Sequence, residues 1–183
     1  MLDSSDVDLV RRAQAGDVNA IGELYDRHQA HVFRYVWWRV HDHRSAEDLT
    51  GEIFARMVAS LPDYRPTGVP FRAWLYRIAH NLVVDYYRKE SGHALVSLDQ
   101  VAGLSEEEDN PAAIAEHHLT VEQVQRALAG LDPSQREVVV LRFVVGLPLR
   151  EVALTLGKTV VAVKSSQHRG LMALRAALKQ EQT

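Results

Sequence analysis

Along most of the chain the apolar positions recur every three or four residues, the period of an α-helix. Ile21, Leu24, Tyr25, Val32, Val36 and Val40 mark one such stripe, and Ala46, Leu49, Ile53 and Met57 mark a second. No stretch alternates apolar and polar residues over a useful length, so no strand is predicted. Helix-start chemistry precedes the stripes: Asp17 before VNAIGELY, Ser45 with Asp48 three residues on, Thr120 with Gln123, and Asp132 followed by Pro133 and Gln135. Each places a side-chain oxygen where it can accept from the N–H groups that a first helical turn leaves unpaired, and proline suits the first helical position. The run REVVVLRFVV is β-branched, but the cap ahead of it predicts helix there too.

The pattern breaks in SGHALVSLDQVAGLSEEEDNPAA, which has two glycines, a proline and the run Glu106-Glu107-Glu108-Asp109. Weak periodicity and this composition predict a linker over residues 91–119. The expected fold is all-α, with helical domains at residues 1–90 and 120–183 on either side of an acidic, flexible linker. Charge follows the same division: the net formal charge is −1 in the first segment, −6 in the linker and +4 in the last. A mildly acidic total of −3 thus conceals a basic C-terminal third.

That basic third holds the sharpest local pattern, LREVALTLGKTVVAVKSSQHRGLMALRAAL. A helix from about Leu149 is expected to end at Gly157, whose missing Cβ suits a left-handed cap, and Thr159 then caps a second helix. Ala153, Gly157 and Val163 have the spacing of a helix-turn-helix, in which a small residue lets two helices approach, glycine turns the chain and valine fills the angle. On the second helix Val160, Val163, Leu171, Leu174 and Leu178 share one side. Val161, Ala162, Lys164, Ser165 and His168 project from the other in its first turns, the part that enters a major groove in such motifs. Lys164 is suited to phosphate or a guanine edge, Ser165 to either donor or acceptor, and Ala162 to a thymine methyl. Arg142, Arg150, Lys158, Arg169 and Arg175 supply candidate phosphate contacts.

A second concentration of chemistry is FRAWLYRIAHNLVVDYYRKE, residues 71–90. At 100° per residue Phe71, Leu75, Ile78, Leu82 and Tyr86 form a core face. Trp74, Arg77, Asn81, Asp85 and Arg88 line a second face. Tyr76, His80, Val83 and Tyr87 line a third, bordered by Arg72. Rings, guanidinium groups and an amide on the outer faces suit unpaired nucleotides, whose bases stack and whose phosphates meet arginine.

Three segments in order, AEDLTGEIFARM, FRAWLYRIAHNLVVDYYRK and LDPSQREVVVLRFVVGLPLREVALTLGKTVVAVKSSQHRGLMALR, resemble a bacterial extracytoplasmic function (ECF) sigma factor of the sigma-70 family. The resemblance covers the chain apart from the linker. It implies a region 2 at 1–90 that binds and helps melt the −10 element, and a region 4 at 120–183 that binds the −35 element. It implies RNA polymerase core as partner, through the β′ coiled coil and the β flap, together with promoter DNA and an anti-sigma factor. Core contacts would then fall on Asp48, Gly51 and Glu52, with Asp48 and Glu52 facing out together from an amphipathic helix. The −10 contacts would fall on Arg72, Trp74, Arg77, Asn81 and Arg88, with the loop PDYRPTGVP holding an extruded base. The −35 contacts would fall on Arg150, Lys158, Val161, Ala162, Lys164, Ser165, His168 and Arg169.

Some positions depart from the family. Gly51 stands where glutamine is usual; Ala162 replaces a frequent threonine, and Ser166-Gln167 a common Arg-Leu pair. Gly51 implies either a close approach or a weaker polymerase contact. The other changes fall on or beside the recognition surface.

The remaining signals exclude more than they add. No apolar run approaches the roughly 18 to 20 residues of a membrane span, and the N-terminus MLDSSDVDLV is acidic where a signal peptide is basic. The absence of cysteine excludes disulfides, thiolate metal sites and Fe–S clusters, which fits a cytoplasmic protein without membrane insertion. HDHR at 41–44 and EHH at 116–118 lack metal-ligand spacing, and no phosphate loop or nucleophile elbow occurs. No catalytic residue, metal or cofactor is expected, and the chain is not expected to be an enzyme. The rival function is a helix-turn-helix regulator that binds its site without polymerase, but it leaves residues 71–90 without a purpose.

Overall fold

The computed structural model describes residues 5–66, 68–93 and 121–180. These form helices joined by short turns, and no strand occurs among them. The first half holds α1 (Asp6–Gln14), α2 (Val18–Val40), α3 (His43–Ser60), a 3-10 turn (Leu61–Asp63) and α4 (Phe71–His93). The second half holds α5 (121–129), α6 (Pro133–Val139), a π-helical turn (Val140–Val144), α7 (Leu149–Leu156) and α8 (Val160–Gln180). Thr120 and the acidic run at 106–109 lie outside the described residues.

Local chemistry accounts for most helix boundaries. The Asp17 carboxylate accepts from the N–H groups of Asn19 and Ala20 at the head of α2. Asp132 does the same for Ser134 at 2.9 Å, with Pro133 as the first residue of α6. One start differs from expectation. The cap of α3 is Asp42, whose carboxylate accepts from Ser45 N–H at 2.7 Å, so the helix begins at His43 and Ser45 lies in its first turn. The β-branched run after Asp132 stays helical but widens at its end, where Val145 N–H reaches Val140 O at 3.1 Å. Gly146, at φ +79°, then turns the chain toward α7.

Helices α1 to α4 enclose Leu9, Leu24, Val32, Val36, Ile53, Met57, Leu75 and Leu82, all buried. Each such side chain contributes roughly 1.5–3 kcal/mol when removed from water. Helices α5 to α8 bury Leu128, Val138, Val139, Leu141, Leu147, Val152 and Val163. Here Gly170 lets α8 lie close on α6: a Cβ at that position would come 2.9 Å from Val139 Cγ2. The inward line of α8 is Val163, Ser166, Gly170 and Leu174, whereas Val160 and Leu171 are exposed. That line corrects the expected apolar side of this helix by less than half a turn.

The two halves are docked, and their buried side chains form one continuous cluster. Helix α4 lies against α7, and α2 against the π-helical turn. The third face of α4 is largely covered, by α2 and through His80 by α6, contrary to the nucleotide-facing role expected of it. Tyr76 and Val83 are buried, and the Tyr76 ring meets Tyr35 edge-on with centroids 5.5 Å apart.

Candidate DNA-reading and polymerase-binding surfaces

At the α7–α8 turn Gly157 adopts φ 62°, ψ 34°, and its N–H returns to Ala153 O. Thr159 Oγ1 accepts from Ala162 N–H at 3.2 Å, fixing the first turn of α8. Ala153 and Val163 are buried between the helices, as the spacing predicted. Arg150, Lys158, Val161, Ala162, Lys164, Ser165, His168 and Arg169 are all exposed. Their side chains carry three kinds of group a duplex can meet: cations, hydrogen-bonding tips and small apolar surfaces. Two neighbours differ from expectation. Arg142 is turned inward, donating to Leu147 O and, at 3.1 Å, to Gln167 Oε1, so it braces the motif instead of meeting phosphate. Ser166 is buried against the rest of the domain, which removes it from the reading surface.

The face of α4 carrying Trp74, Arg77, Asn81 and Arg88 is mixed in exposure. Asn81 and Arg88 are open to solvent, with Arg88 3.3 Å from Asp85. Trp74 is half-buried, its ring 4.6 Å from that of Tyr64 and 5.7 Å from Phe71. Arg77 is half-buried and donates to the carbonyl of Leu154 on α7. Ahead of α4, the preceding loop is tied down: Tyr64 donates its hydroxyl to Val69 O at 2.8 Å, and Gln14 donates to Leu61 O and Tyr64 O. Beside it opens a cleft of about 680 Å³ lined by Arg27, His28, His31, Tyr64, Arg72 and Tyr76 among others. Within it Asp6 accepts from Arg27 at 2.8 Å and pairs with His28 at 3.0 Å. Burial pushes the Asp6 pKa up, but these two partners outweigh it and hold the group below the usual carboxylate range.

On α3, Ala46, Leu49, Ile53 and Met57 point into the core while Asp48, Gly51 and Glu52 are exposed. Glu52 accepts from Arg56 at 2.8 Å, one helical turn on. A Cβ at Gly51 would meet nothing within 4 Å, so no close approach inside this chain requires glycine. The histidines of HDHR have local structural roles. His41 caps α2 in a left-handed conformation, and His43 packs its ring on Phe33 with centroids 5.3 Å apart. Glu116, His117 and His118 lie outside the described residues.

One cluster went unnoticed in the sequence. Glu137 on α6 is 3% exposed and accepts from the Tyr35 hydroxyl at 2.6 Å. It pairs with Arg39, itself 4% exposed, and lies 3.3 Å from His80 Nδ1. Tyr87 donates its hydroxyl to Arg39 O. Burial, then the charges of Arg39 and Lys158, pushes the His80 pKa down to about 4, so its ring is neutral at pH 7. The sequence signal is a charge set against apolar residues: Arg39 is the one charge in VWWRV, and Glu137, next to Arg136, precedes the run VVVL.

Two helical modules, one carrying a helix-turn-helix and the other an aromatic and cationic helix, define the class of protein. Comparison with known proteins makes the class specific. Residues 24–93 match the family Sigma-70 region 2, and residues 127–176 match Sigma-70, region 4. The ECF RNA polymerase sigma factor BldN of Streptomyces coelicolor is 36% identical over 172 residues, covering 94% of this chain and 65% of that protein. The ECF RNA polymerase sigma factor SigD of Mycobacterium tuberculosis is 33% identical over 171 residues, covering 91% of this chain and 81% of that protein. The solved structure of CnrH in complex with the cytosolic domain of CnrY is similar with a TM-score of 0.77 and 28% identity, covering 97% of this chain and 99% of that one. This chain belongs to the ECF sigma factors of the sigma-70 family.

Proposed function

We propose that this chain is an alternative sigma factor that binds RNA polymerase core and directs transcription from promoters read at two elements. The observation that carries the reading is the α7–α8 motif, where eight side chains suited to DNA lie exposed around a helix N-terminus. One such unit reads only a few base pairs, too few to select a promoter in a genome without a second contact. The α4 helix supplies that contact: Arg77, Asn81 and Arg88, with Trp74 and Arg72 at the border, take the non-template strand of the −10 element as its bases unstack. Unstacking costs a few kcal/mol per base, which stacking on protein rings of about 1–3 kcal/mol each largely offsets.

Core polymerase docks on Asp48, Gly51 and Glu52 of α3, where paired carboxylates face outward. The β′ coiled coil and the β flap are the core elements that the family uses. Chemistry at the promoter belongs to the polymerase, and this chain needs no cofactor of its own. No helix among the described residues is long and apolar enough to cross a membrane, and the chain works where polymerase does. Residues 1–90 and 120–183 are the two working domains. An anti-sigma factor is the proposed inhibitor, a reading supported by the similarity to CnrH, solved with the cytosolic domain of another protein.

The reading is tested with purified core and promoter DNA. Arg77→Ala combined with Asn81→Ala abolishes open-complex formation while leaving core binding intact; equal loss of both contradicts the assignment. Lys164→Ala lowers affinity for the −35 duplex by about 1–3 kcal/mol, whereas unchanged transcription removes that residue from the set.

A further inference from the structure

Several polar contacts across the docked halves fall on the helix proposed to read single-stranded DNA, or on the residues just behind it. Arg77 donates to Leu154 O, and Thr155 donates its hydroxyl to Ala73 O at 3.2 Å. Deeper in, Glu137 of the second half takes Tyr35, Arg39 and His80 of the first half as its partners. The eight candidate residues around α8 lie outside this contact and are exposed.

We propose that the halves latch face to face through Glu137, and that this latch ties up Arg77 on the single-strand-reading face of α4 while leaving the duplex-reading face of α8 open. The inference rests on the proposed −10 role of Arg77. In the closed form the Arg77 guanidinium is committed to a backbone carbonyl of α7 and is not available to phosphate. A buried ion pair suits a reversible latch. Its attraction is offset by the water both charges surrender, so it sets register without adding much net stability. When the halves part, Arg39 and Glu137 both regain water. With only one of them charged, closure leaves a buried charge without its counter-ion, and the open form dominates.

The chain has no cysteine, so Val18→Cys with Met172→Cys, both at exposed positions, places one probe on each half. Interprobe distance is measured in the free full-length chain. In the unlabelled chain, binding is measured with a short mixed-sequence single-stranded DNA and, separately, with a duplex. Glu137→Gln lengthens the distance and raises single-strand affinity about tenfold, the gain expected when a form that holds Arg77 gives way to one that frees it. Duplex affinity stays unchanged. Adding Arg77→Ala to Glu137→Gln removes the gain, which assigns it to the freed Arg77. Arg39→Met with Glu137→Leu, an apolar pair of similar volume, restores the short distance and the weak single-strand binding.

Unchanged distance and affinity in Glu137→Gln overturn the latch, and so does a longer distance with no gain in single-strand binding. Should Glu137→Gln unfold the chain, Thr155→Val removes only the hydrogen bond to Ala73 and carries the same test with a smaller shift. Run-off transcription by the unaltered chain with core separates the two claims. Transcription with an unresponsive Glu137→Gln refutes the latch and keeps the sigma-factor reading, while no transcription refutes that reading itself.

Discussion

Arg39 and Glu137 show how much one buried pair decides about this molecule. Both are buried, and each finds its partner in the other half of the chain. Removing one member of such a pair costs about 3–5 kcal/mol in a closed site, whereas replacing both with apolar groups is often neutral. Gly51 is the opposite case, a residue whose immediate surroundings place no demand on it. It lies within α3, exposed and with open space at its missing Cβ, so Gly51→Ala stabilises the chain by about 1 kcal/mol in a denaturant titration. A stability that falls on this substitution contradicts the open geometry. Its presence on the proposed core-binding surface then reflects the partner and not the fold.

At the scale of the helix, local rules decide most of what forms. Asp17, Asp132, Gly157 and Thr159 mark boundaries where the sequence places them, because caps and left-handed turns depend on neighbouring atoms alone. Asp42 displaced Ser45 as the cap of α3 because both have a suitable oxygen and only the chain's path after α2 selects between them. The faces of α4 and α8 were harder to assign. Periodicity identifies a stripe but not which second stripe neighbouring helices cover, and Tyr76 and Val83 are buried. Ser166 likewise reads as surface in the sequence and is buried in the structure. Helix α8 depends on Gly170, where Gly170→Ala brings a methyl group 2.9 Å from Val139 Cγ2. That overlap costs about 1–3 kcal/mol and lowers the thermal midpoint, while Leu171→Ala on the exposed side has little effect. Equal effects from the two contradict the inward line of α8.

For the whole molecule, the modules themselves were legible and their docking was not. The caps, the helix-turn-helix spacing and the ring-and-cation helix each have a local signature, whereas the docked contact joins residues as far apart in sequence as Tyr35 and Glu137. Docking also divides the candidate surfaces: the residues around Lys164 remain open, and Arg77 is occupied. On the proposed function, DNA meets one open face and one partly covered face, and selectivity comes from the polymerase that seats both. The direct measurement is promoter binding and run-off transcription by the purified chain, with and without RNA polymerase core. With core, discrete transcripts start a fixed distance from a two-element promoter, and the chain alone binds that promoter feebly. Equally tight, sequence-specific binding without core, or no transcript when core is present, contradicts the account.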